Sequence, residues 1–338
     1  MASRVLSVSL ISLVALLHVG WAETPATGIR VGIIGLDTSH VLAFTKLLNA
    51  EEPAEEYAGC RIVAAYPQGS RDIESSVTRV PKYTEEVQQM GVEIVDSIDE
   101  LIDKVDVVLL ESNDGRVHLE QILPVLEAGK RTFIDKPMAG SLADVMAIFD
   151  AAKHYGTPIF STSSLRYGAG TLAAMNGEIG EVLGCEVRSP CSLEATHPDF
   201  FWYGIHGVEA LFTVMGTGCQ QVTRAHTEGT DVAVGIWQGG RVGSFRGMRA
   251  GKPDYGGIAF GSERNLPVGT YDGYEPLVVD IVKFFQTGDS PVPEEETIEI
   301  FAFMEAADAS KRQDGEPISI QSIMDAARRE AESKRSWD

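Results

Sequence analysis

Cysteine is scarce in this chain, and its four copies are dispersed at Cys60, Cys185, Cys191 and Cys219. No two of them form a C-x-x-C pair, which excludes the common zinc-binding and dithiol redox motifs. Cys185 and Cys191 are close enough in sequence to form a disulfide in an exported protein if a turn brings them together. Buried free thiols are the alternative.

Basic residues are scarce too, because 28 Lys and Arg stand against 49 Asp and Glu, giving a formal charge of −21. Binding to nucleic acid or to an anionic membrane is therefore excluded, since both need clustered Lys and Arg. The chain also lacks internal repeats and low-complexity tracts. Its 44% apolar and 23% charged residues are typical of a globular protein, and a length of 338 residues predicts two domains.

Long apolar runs are absent except near the N-terminus. Residues 5–19 form one such run, after a short positive start and before Gly20-Trp21-Ala22, a small-x-small cleavage site. The run is too short for a good membrane span. We therefore predict a signal peptide over residues 1–22 and an exported mature protein, periplasmic or extracellular. The lone Arg4 is not a twin-arginine signal, so the general secretory route would deliver the chain unfolded and without cofactor.

The first structured segment, residues 29–40, has the sequence IRVGIIGLDTSH. Its β-branched first half predicts a buried strand that turns into a helix. Gly32 and Gly35 match the first two glycines of a dinucleotide-binding turn, in which the backbone approaches a pyrophosphate at the N-terminus of the next helix. The expected third glycine is missing.

In its place stands the tetrapeptide Asp37-Thr38-Ser39-His40. A dinucleotide in the usual pose would require the Asp37 carboxylate to turn away from the phosphates, while Thr38 and Ser39 could donate hydroxyl groups. The alternative is that Asp37 and His40 bind substrate or a metal.

Strand and helix patterns then alternate. The predicted strands cover residues 60–66, 92–96, 105–110, 131–134 and 159–161, with helices at 41–49, 118–128 and 142–155. From about residue 166, period-two segments at 182–190 and 232–245 accompany helices at 205–215, 276–286, 296–308 and 320–333. The predicted fold is α/β, with a Rossmann doubly wound parallel sheet over 28–163. A second α/β domain over 164–338 carries a large open, mainly antiparallel sheet.

Ligands of such folds bind at the carboxyl edge of the parallel sheet. Asn113, in the turn after the 105–110 strand, and Lys136, after the 131–134 strand, are predicted to lie at that edge. After the second predicted strand, Ser70 and Arg71 stand where NAD enzymes carry an acidic residue. This pair suits a 2′-phosphate, which slightly favours NADP, and a solvent loop is the alternative.

Residues 118–167, HLEQILPVLEAGKRTFIDKPMAGSLADVMAIFDAAKHYGTPIFSTSSLRY, closely resemble the Gfo/Idh/MocA oxidoreductases. In that family a His and an "ALEAGKHV" helix end lead to a Glu-Lys-Pro signature, and Asp135-Lys136-Pro137 is similar to it. The segment YGIHGVEAL around His206 resembles the family's "DxGxH" catalytic segment, with Trp202 where the family often has Asp. The resemblance implies NAD or NADP, a sugar or cyclitol substrate, and homodimers or tetramers formed through the C-terminal sheet.

The two motif residues suggest a chemistry. In an alcohol oxidation His206 would take the hydroxyl proton and Lys136 would polarise the oxygen, with both facing one cleft between the domains. Without the resemblance, His206 would be a hydrogen-bonded histidine at a helix start and Lys136 an exposed lysine.

Further residues complete the predicted site. His197, Asp199, Trp202 and Tyr203 combine aromatic and polar groups that suit a sugar, and Arg166 and Tyr167 are expected in the same cleft; a partly buried loop is the alternative for the first group. Asp37, His40, Glu111, His118, His197 and His206 offer oxygen and imidazole ligands. No tight spacing such as H-x-x-x-H supports a metal, and none is predicted.

The predicted function is NAD(P)-dependent hydride transfer to or from a sugar, polyol or related carbohydrate. Two alternatives stay open because the cofactor fingerprint is incomplete. One is a non-redox carbohydrate lyase, hydrolase or epimerase on the same scaffold. The other is a sugar-binding protein that has lost the cofactor.

Overall fold

A computed structural model describes residues 28–57 and 59–337. The predicted signal peptide, residues 1–22, lies outside the described residues. Within these two ranges, no helix combines the length and the apolar character that are needed to cross a bilayer.

The first domain is built on a six-stranded parallel sheet. Its strands are β1 (Ile29–Ile34), β2 (Cys60–Tyr66), β3 (Glu93–Ile94), β4 (Val107–Leu110), β5 (Arg131–Ile134) and β6 (Ile159–Ser161). They lie in the order β3-β2-β1-β4-β5-β6, and every neighbouring pair is parallel. The strand order reverses between β1 and β4, which is where an open α/β sheet opens a crevice for ligands. The predicted doubly wound sheet is confirmed.

Five helices connect these strands: α1 (Ser39–Leu48), α2 (Glu74–Gln89), α3 (Ile98–Lys104), α4 (His118–Glu127) and α5 (Leu142–Tyr155). The bounds of α5 follow from local signals. Ser141 caps its N-terminus, and Gly156 ends it in the left-handed conformation. Sequence patterns did not predict α2, because this helix contains Pro81 and buries only Ser76 and Val87.

The second domain carries a seven-stranded mixed sheet. Its strands are β7 (Val182–Pro190), β8 (Cys219–Thr227), β9 (Thr230–Trp237), β10 (Val242–Met248), β11 (Gly256–Gly261), β12 (Asn265–Val268) and β13 (Ile318–Ser319), in the order β12-β11-β7-β10-β9-β8-β13. All neighbouring pairs are antiparallel except β7 and β10. The single period-two segment predicted at 232–245 therefore corresponds to two strands, because it covers most of β9 and the beginning of β10.

The helices of this half are α6 (Ala169–Met175), α7 (Ile205–Met215), α8 (Glu275–Thr287), α9 (Glu294–Arg312) and α10 (Ile320–Ser333). α7 and α9 cover the second sheet. α8 crosses back to the first domain, where Leu277 and Ile281 share an apolar cluster with Val31 of β1 and Phe44 of α1. α10 packs on α5. The chain passes from the first sheet to the second between β6 and β7, while the helices join the domains.

All four cysteines lie within the described ranges and are buried free thiols. The pairing of Cys185 with Cys191 does not occur in this structure. Burial raises the pKa of Cys60 to about 11 and that of each of the other three to about 12. These thiols are therefore protonated and unreactive at neutral pH.

Candidate active site

A cleft of about 410 Å³ lies at the carboxyl edge of the parallel sheet and is closed on its other side by the second domain. It is lined by Thr38, Ser39, His40, Ser75, Arg79, Asn113, Lys136, Pro137, Ser164, Leu165, Ser192, Trp202, Tyr203, His206, Tyr255, Tyr271 and Tyr274. Lys136 and His206, which lie 70 positions apart in the sequence, are both in its wall. A single bound molecule can therefore touch residues of both domains.

Lys136 reaches the cleft because β5 ends just before it. Its side chain is only 14% exposed, and its Nζ lies 3.8 Å from Oδ2 of Asp135, beyond hydrogen-bond distance. A mostly buried ammonium group with such a loose partner is available to interact with a negative or polarisable ligand atom.

His206 lies in the first turn of α7, and its Nδ1 is 2.7 Å from the hydroxyl oxygen of Ser163. Burial lowers the pKa of His206 well below its usual value, and the positive charge of Lys136 adds to this effect. The imidazole is therefore neutral at neutral pH. With Nδ1 engaged by Ser163, Nε2 is the nitrogen left to exchange a proton with a ligand.

Three further polar groups meet at the ends of adjacent strands, and we name them the strand-end cluster: His40 in α1, Glu111 after β4 and Asp135 after β5. Nδ1 of His40 lies 3.0 Å from Oδ2 of Asp135 and 3.8 Å from Oε2 of Glu111. Burial, helped by the charge of Asp135, raises the pKa of Glu111 well above its usual value. Burial acts in the same direction on Asp135, but His40 and Lys136 outweigh it and hold its pKa low.

Asp37 is fully buried and turns away from the cleft. Its Oδ1 accepts a hydrogen bond from the backbone N–H of Asn113 at 2.9 Å, and its Oδ2 accepts one from the Ser76 hydroxyl at 2.6 Å. Burial raises the pKa of Asp37 to about 6 despite these bonds. The carboxylate therefore ties the first turn to α2 and to the loop after β4, and it is not placed to bind substrate or a metal in the cleft.

The residues at this edge fit the phosphate and ribose groups of a dinucleotide. α1 begins at Ser39, after Thr38 has capped it by accepting from the N–H of His40, so the positive end of the helix meets the cleft. Asn113 also lines the cleft, and its buried Oδ1 has no hydrogen-bond partner among the described residues. Thr38, Ser39, Asn113 and Lys136 would hold such a group.

Residues 29–162 match the model of the Gfo/Idh/MocA family, an oxidoreductase family with an NAD-binding Rossmann fold. This match shows that the first domain is similar to the NAD-binding Rossmann domain of that family. An "uncharacterized oxidoreductase" of Streptococcus pneumoniae is 28% identical over an alignment of 186 residues that covers 49% of this chain. The match spans only 50% of the length of this curated relative.

Solved structures share this fold over most of the chain. A probable dehydrogenase from Thermotoga maritima superposes with a TM-score of 0.69 at 20% identity, covering 87% of this chain and all of the other. The scyllo-inositol dehydrogenase of Lactobacillus casei, solved with NAD(H) and scyllo-inositol, gives a TM-score of 0.69 at 14% identity over 87% and 99% of the two chains. At these identities the likeness establishes the shared fold.

The two glycines of the family turn do not line the cleft. Gly35 adopts φ +89°, and a Cβ there would lie 2.4 Å from the backbone nitrogen of Ser112, so glycine is required for the turn itself. Gly32 lies inside β1, where a Cβ would press on Leu101 and Val105 at 3.1 Å. Both glycines are therefore required by the packing of the protein itself.

The predicted 2′-phosphate pair is also placed elsewhere. The Ser70 hydroxyl donates a hydrogen bond to the Asp114 carboxylate, and the Ser70 N–H donates to the Ser76 hydroxyl. Arg71 is exposed and does not line the cleft. The predicted 2′-phosphate pair is therefore not part of the cleft lining, because Ser70 is engaged by an internal acceptor and Arg71 is exposed outside it.

Arg166 and Tyr167 directly follow two cleft-lining residues in the sequence, but they do not line the cleft themselves. Arg166 is buried and pairs with Glu209 at 3.1 Å and with Glu296 of α9. Tyr167 is packed in the apolar cluster beneath α8. Their predicted contact with substrate is therefore wrong, because distant partners draw both side chains into the core.

His197 and Asp199 are likewise drawn away. His197 has no exposed side-chain surface and places Nε2 3.3 Å from the Asp114 carboxylate, while Asp199 pairs with Arg224 and Lys311. Their predicted neighbours Trp202 and Tyr203 do line the cleft. This polar and aromatic group is thus split between the protein interior and the site.

Other cleft residues escaped sequence analysis. Tyr255, Tyr271 and Tyr274 form an aromatic wall, and the Tyr274 ring packs edge-on against His40 with centroids 4.7 Å apart. Ser75 and Arg79 come from the unpredicted α2. Tyr255 lies just before β11, and Tyr271 and Tyr274 lie between β12 and α8. These irregular segments have no periodic pattern that indicates which side chains point inwards.

Proposed function

We propose that this protein is an NAD(P)-dependent oxidoreductase that transfers hydride between the nicotinamide and a carbon of a sugar, polyol or related carbohydrate. The observation that carries the proposal is that Lys136 and His206 line one cleft at the carboxyl edge of a Rossmann sheet. When bound, the nicotinamide accepts or supplies the hydride. The protein supplies orientation and proton transfer.

The roles of the side chains follow from their surroundings. His206 is neutral and can take a hydroxyl proton, while Ser163 holds the imidazole ring in place. Lys136 brings a positive charge to the same space and favours the developing negative charge on the substrate oxygen. The low pKa of His206 keeps it a competent base below the pH at which an exposed histidine would be protonated.

The walls of the cleft support a polyhydroxylated substrate. Trp202, Tyr203, Tyr255, Tyr271 and Tyr274 offer ring faces to C–H groups and phenol hydroxyls to substrate hydroxyls. Fold neighbours that carry the names scyllo-inositol dehydrogenase and myo-inositol 2-dehydrogenase agree with this class. A cyclitol or a pyranose is therefore the first substrate to test.

Location and assembly belong to the same proposal. The signal-like residues 1–22 support a mature protein outside the cytoplasm. The second sheet supports a homodimer or tetramer, because its uncovered face includes Leu183, Val242 and Ile258, whose exposed fractions are 53%, 47% and 37%.

A non-redox carbohydrate lyase, hydrolase or epimerase on this scaffold is the second candidate. One observation favours it: the loop after β2 is bound to the loop after β4 through Ser70–Asp114 and Asp72–Arg116 contacts. A nucleotide that entered behind these contacts would exchange slowly and suit an enzyme that regenerates its cofactor in each turnover. Mass spectrometry of denatured, natively purified protein would reveal such a retained nucleotide.

The first prediction tests the proposed chemistry. Lys136→Met should lower turnover by a factor of about 10² to 10⁴, because the charge beside the reacting oxygen is lost. Its melting temperature should stay nearly unchanged, since Nζ makes only the loose 3.8 Å contact with Asp135 among the described residues. The measurement is reduction of NAD⁺ and NADP⁺ across a panel of inositols, aldoses and alditols.

Lys82→Met provides the matched control, because Lys82 is exposed on α2 and pairs only loosely with Glu86 at 3.8 Å. It should retain full turnover. Undiminished activity in Lys136→Met would refute the assigned role. Wild-type protein with no activity and no retained nucleotide would refute the oxidoreductase proposal and favour a sugar-binding protein.

A further inference from the structure

The strand-end cluster has the composition of a metal site. Its three members follow β1, β4 and β5, which are adjacent in the sheet, so their side chains converge at one point of the carboxyl edge. One ligand atom from each of His40, Glu111 and Asp135 lies within 4.8 Å of the other two. None of the three residues is adjacent to another in sequence, so only the parallel sheet brings them together.

The atoms that converge are buried but unbonded. Nδ1 of His40, both carboxylate oxygens of Glu111 and Oδ2 of Asp135 have no hydrogen-bond partner within the described ranges. Glu111 and Asp135 have no exposed surface, and His40 is 4% exposed. Buried polar atoms are almost always bonded, so several unbonded acceptors that share one point indicate a ligand bound between them.

The remaining contacts of Asp135 and His40 show which of their atoms face the cluster. Oδ1 of Asp135 does accept a bond, from the N–H of Lys136 at 2.8 Å, so the unbonded oxygen is the one that faces the cluster. His40 and Asp135 approach to 3.0 Å without hydrogen-bond geometry. Where Nδ1 carries no proton, its lone pair faces that of Oδ2, and a cation between the two atoms removes the repulsion.

The spacing suits a transition-metal ion. Such ions bind imidazole nitrogen and carboxylate oxygen at about 2.0–2.2 Å, so two ligands of a tetrahedral site lie about 3.3 Å apart. The observed separations of 3.0 Å and 3.8 Å bracket that value. One imidazole with two carboxylates favours a first-row dication such as Zn²⁺ or Mn²⁺ over Mg²⁺ or Ca²⁺, which prefer oxygen alone.

We propose that His40, Glu111 and Asp135 bind one divalent first-row transition-metal ion at the floor of the cleft. His40 and Lys136 both line the cleft, so the ion has an open coordination position on that side. A hydroxyl or carbonyl oxygen of a bound carbohydrate can fill it, which would make the ion a Lewis acid beside Lys136. The binding of the ion does not depend on hydride transfer.

The test uses the full mature chain, purified without a metal-affinity step and freed of metal by a chelator. Titration with Zn²⁺, and separately with Mn²⁺, should show one ion per chain and a higher melting temperature at saturation. Co²⁺ should give the visible absorption of a four- or five-coordinate ion. Metal analysis of protein prepared without chelator should give the same stoichiometry.

Variants locate the ion. Glu111→Gln and His40→Gln should each weaken binding by at least about 100-fold, since even changes outside the ligand sphere cost about 10- to 100-fold. Asp37→Asn is the matched control at the same sheet edge and should bind as wild type does. Absence of saturable binding by wild type would overturn the proposal, as would equal binding by Glu111→Gln. Metal binding without dehydrogenase activity would support the metal site and refute only the proposed function.

Discussion

Two buried groups of charged side chains differ in how completely their polar atoms are bonded. In the second domain, Arg224 contacts the carboxylates of Asp199, Asp231 and Asp308, and we name these four residues the Arg224 cluster. Asp231 also accepts from His226 and from Arg249, both at 2.6 Å. In the strand-end cluster, by contrast, both oxygens of Glu111 lack any hydrogen-bond partner among the described residues.

The difference separates structural from functional use of buried charge. A carboxylate that is enclosed by cations and donors compensates its own desolvation and holds elements together. Burying a carboxylate without partners destabilises the folded state, and such a group is retained where the interactions of a bound ligand offset this cost. Asp37 is intermediate, since it accepts two hydrogen bonds but its carboxylate has no cationic partner among the described residues. These three cases form a series that mutations can test.

The largest effect on stability is expected from the Arg224 cluster. Arg224→Met should lower the free energy of unfolding by about 3–5 kcal/mol, because it removes the cation that Asp199, Asp231 and Asp308 share. Arg224 also lies over the Phe200 ring, with its guanidinium carbon 4.1 Å from the centroid, and that packing is partly kept by Met. Urea denaturation measures the loss. A change below the error of that measurement would remove the distinction between the two clusters.

The intermediate case predicts a dependence on pH. The pKa of Asp37 is about 6 in the folded protein, above its ordinary unfolded value, so the folded state binds the proton more tightly. Stability from this residue is therefore greatest at low pH and declines as pH rises through the interval up to about 6, by at most about 3 kcal/mol.

Asp37→Asn should remove that decline. The difference in unfolding free energy, variant minus wild type, should become more positive between about pH 4.5 and about pH 7.5. Asp37→Ala is the control, because it deprives Ser76 and the Asn113 N–H of their acceptor and should destabilise at both pH values. A difference that is flat with pH would show that the pKa of Asp37 is not raised.

The smallest effect is expected at the strand-end cluster without metal. Glu111→Gln should lower the unfolding free energy of chelator-treated protein by no more than about 1 kcal/mol, because no hydrogen bond from a described residue to the Glu111 carboxylate is lost. The same variant measured with and without Zn²⁺ should differ little, whereas wild type should be stabilised by the ion. A loss as large as that in Arg224→Met would place Glu111 among the structural charges.

Much of the fold was predictable because its signals are local. β2, β5, β6 and β7 have the predicted bounds, as do helices α5, α7 and α10. The apolar period, the N-cap serines and the helix-ending glycines act within a few residues. α2 was missed for the same reason, since its exposed surface and Pro81 give it no apolar period.

The residues of the candidate site also differ in whether local sequence signals could identify them. Lys136 and His206 lie in motifs whose spacing survives in the chain, so the sequence was enough to single them out. Arg166 and Asp199 looked equally suitable, yet Glu296 and Arg224 draw them into ion pairs. Partners separated by 130 and 25 positions leave no local trace in the sequence.

By itself, the sequence determined that β1, β4 and β5 would end at one edge and carry polar groups there, because alternating apolar strands and helices admit few other arrangements. Only the tertiary structure decided which of those groups are bonded. The Asp37 carboxylate accepts hydrogen bonds from Ser76 and Asn113, while the Glu111 carboxylate has no donor among the described residues. The pairing of a buried charge depends on which distant side chains the packing of two domains brings within about 3 Å, and that is a property of the assembled fold.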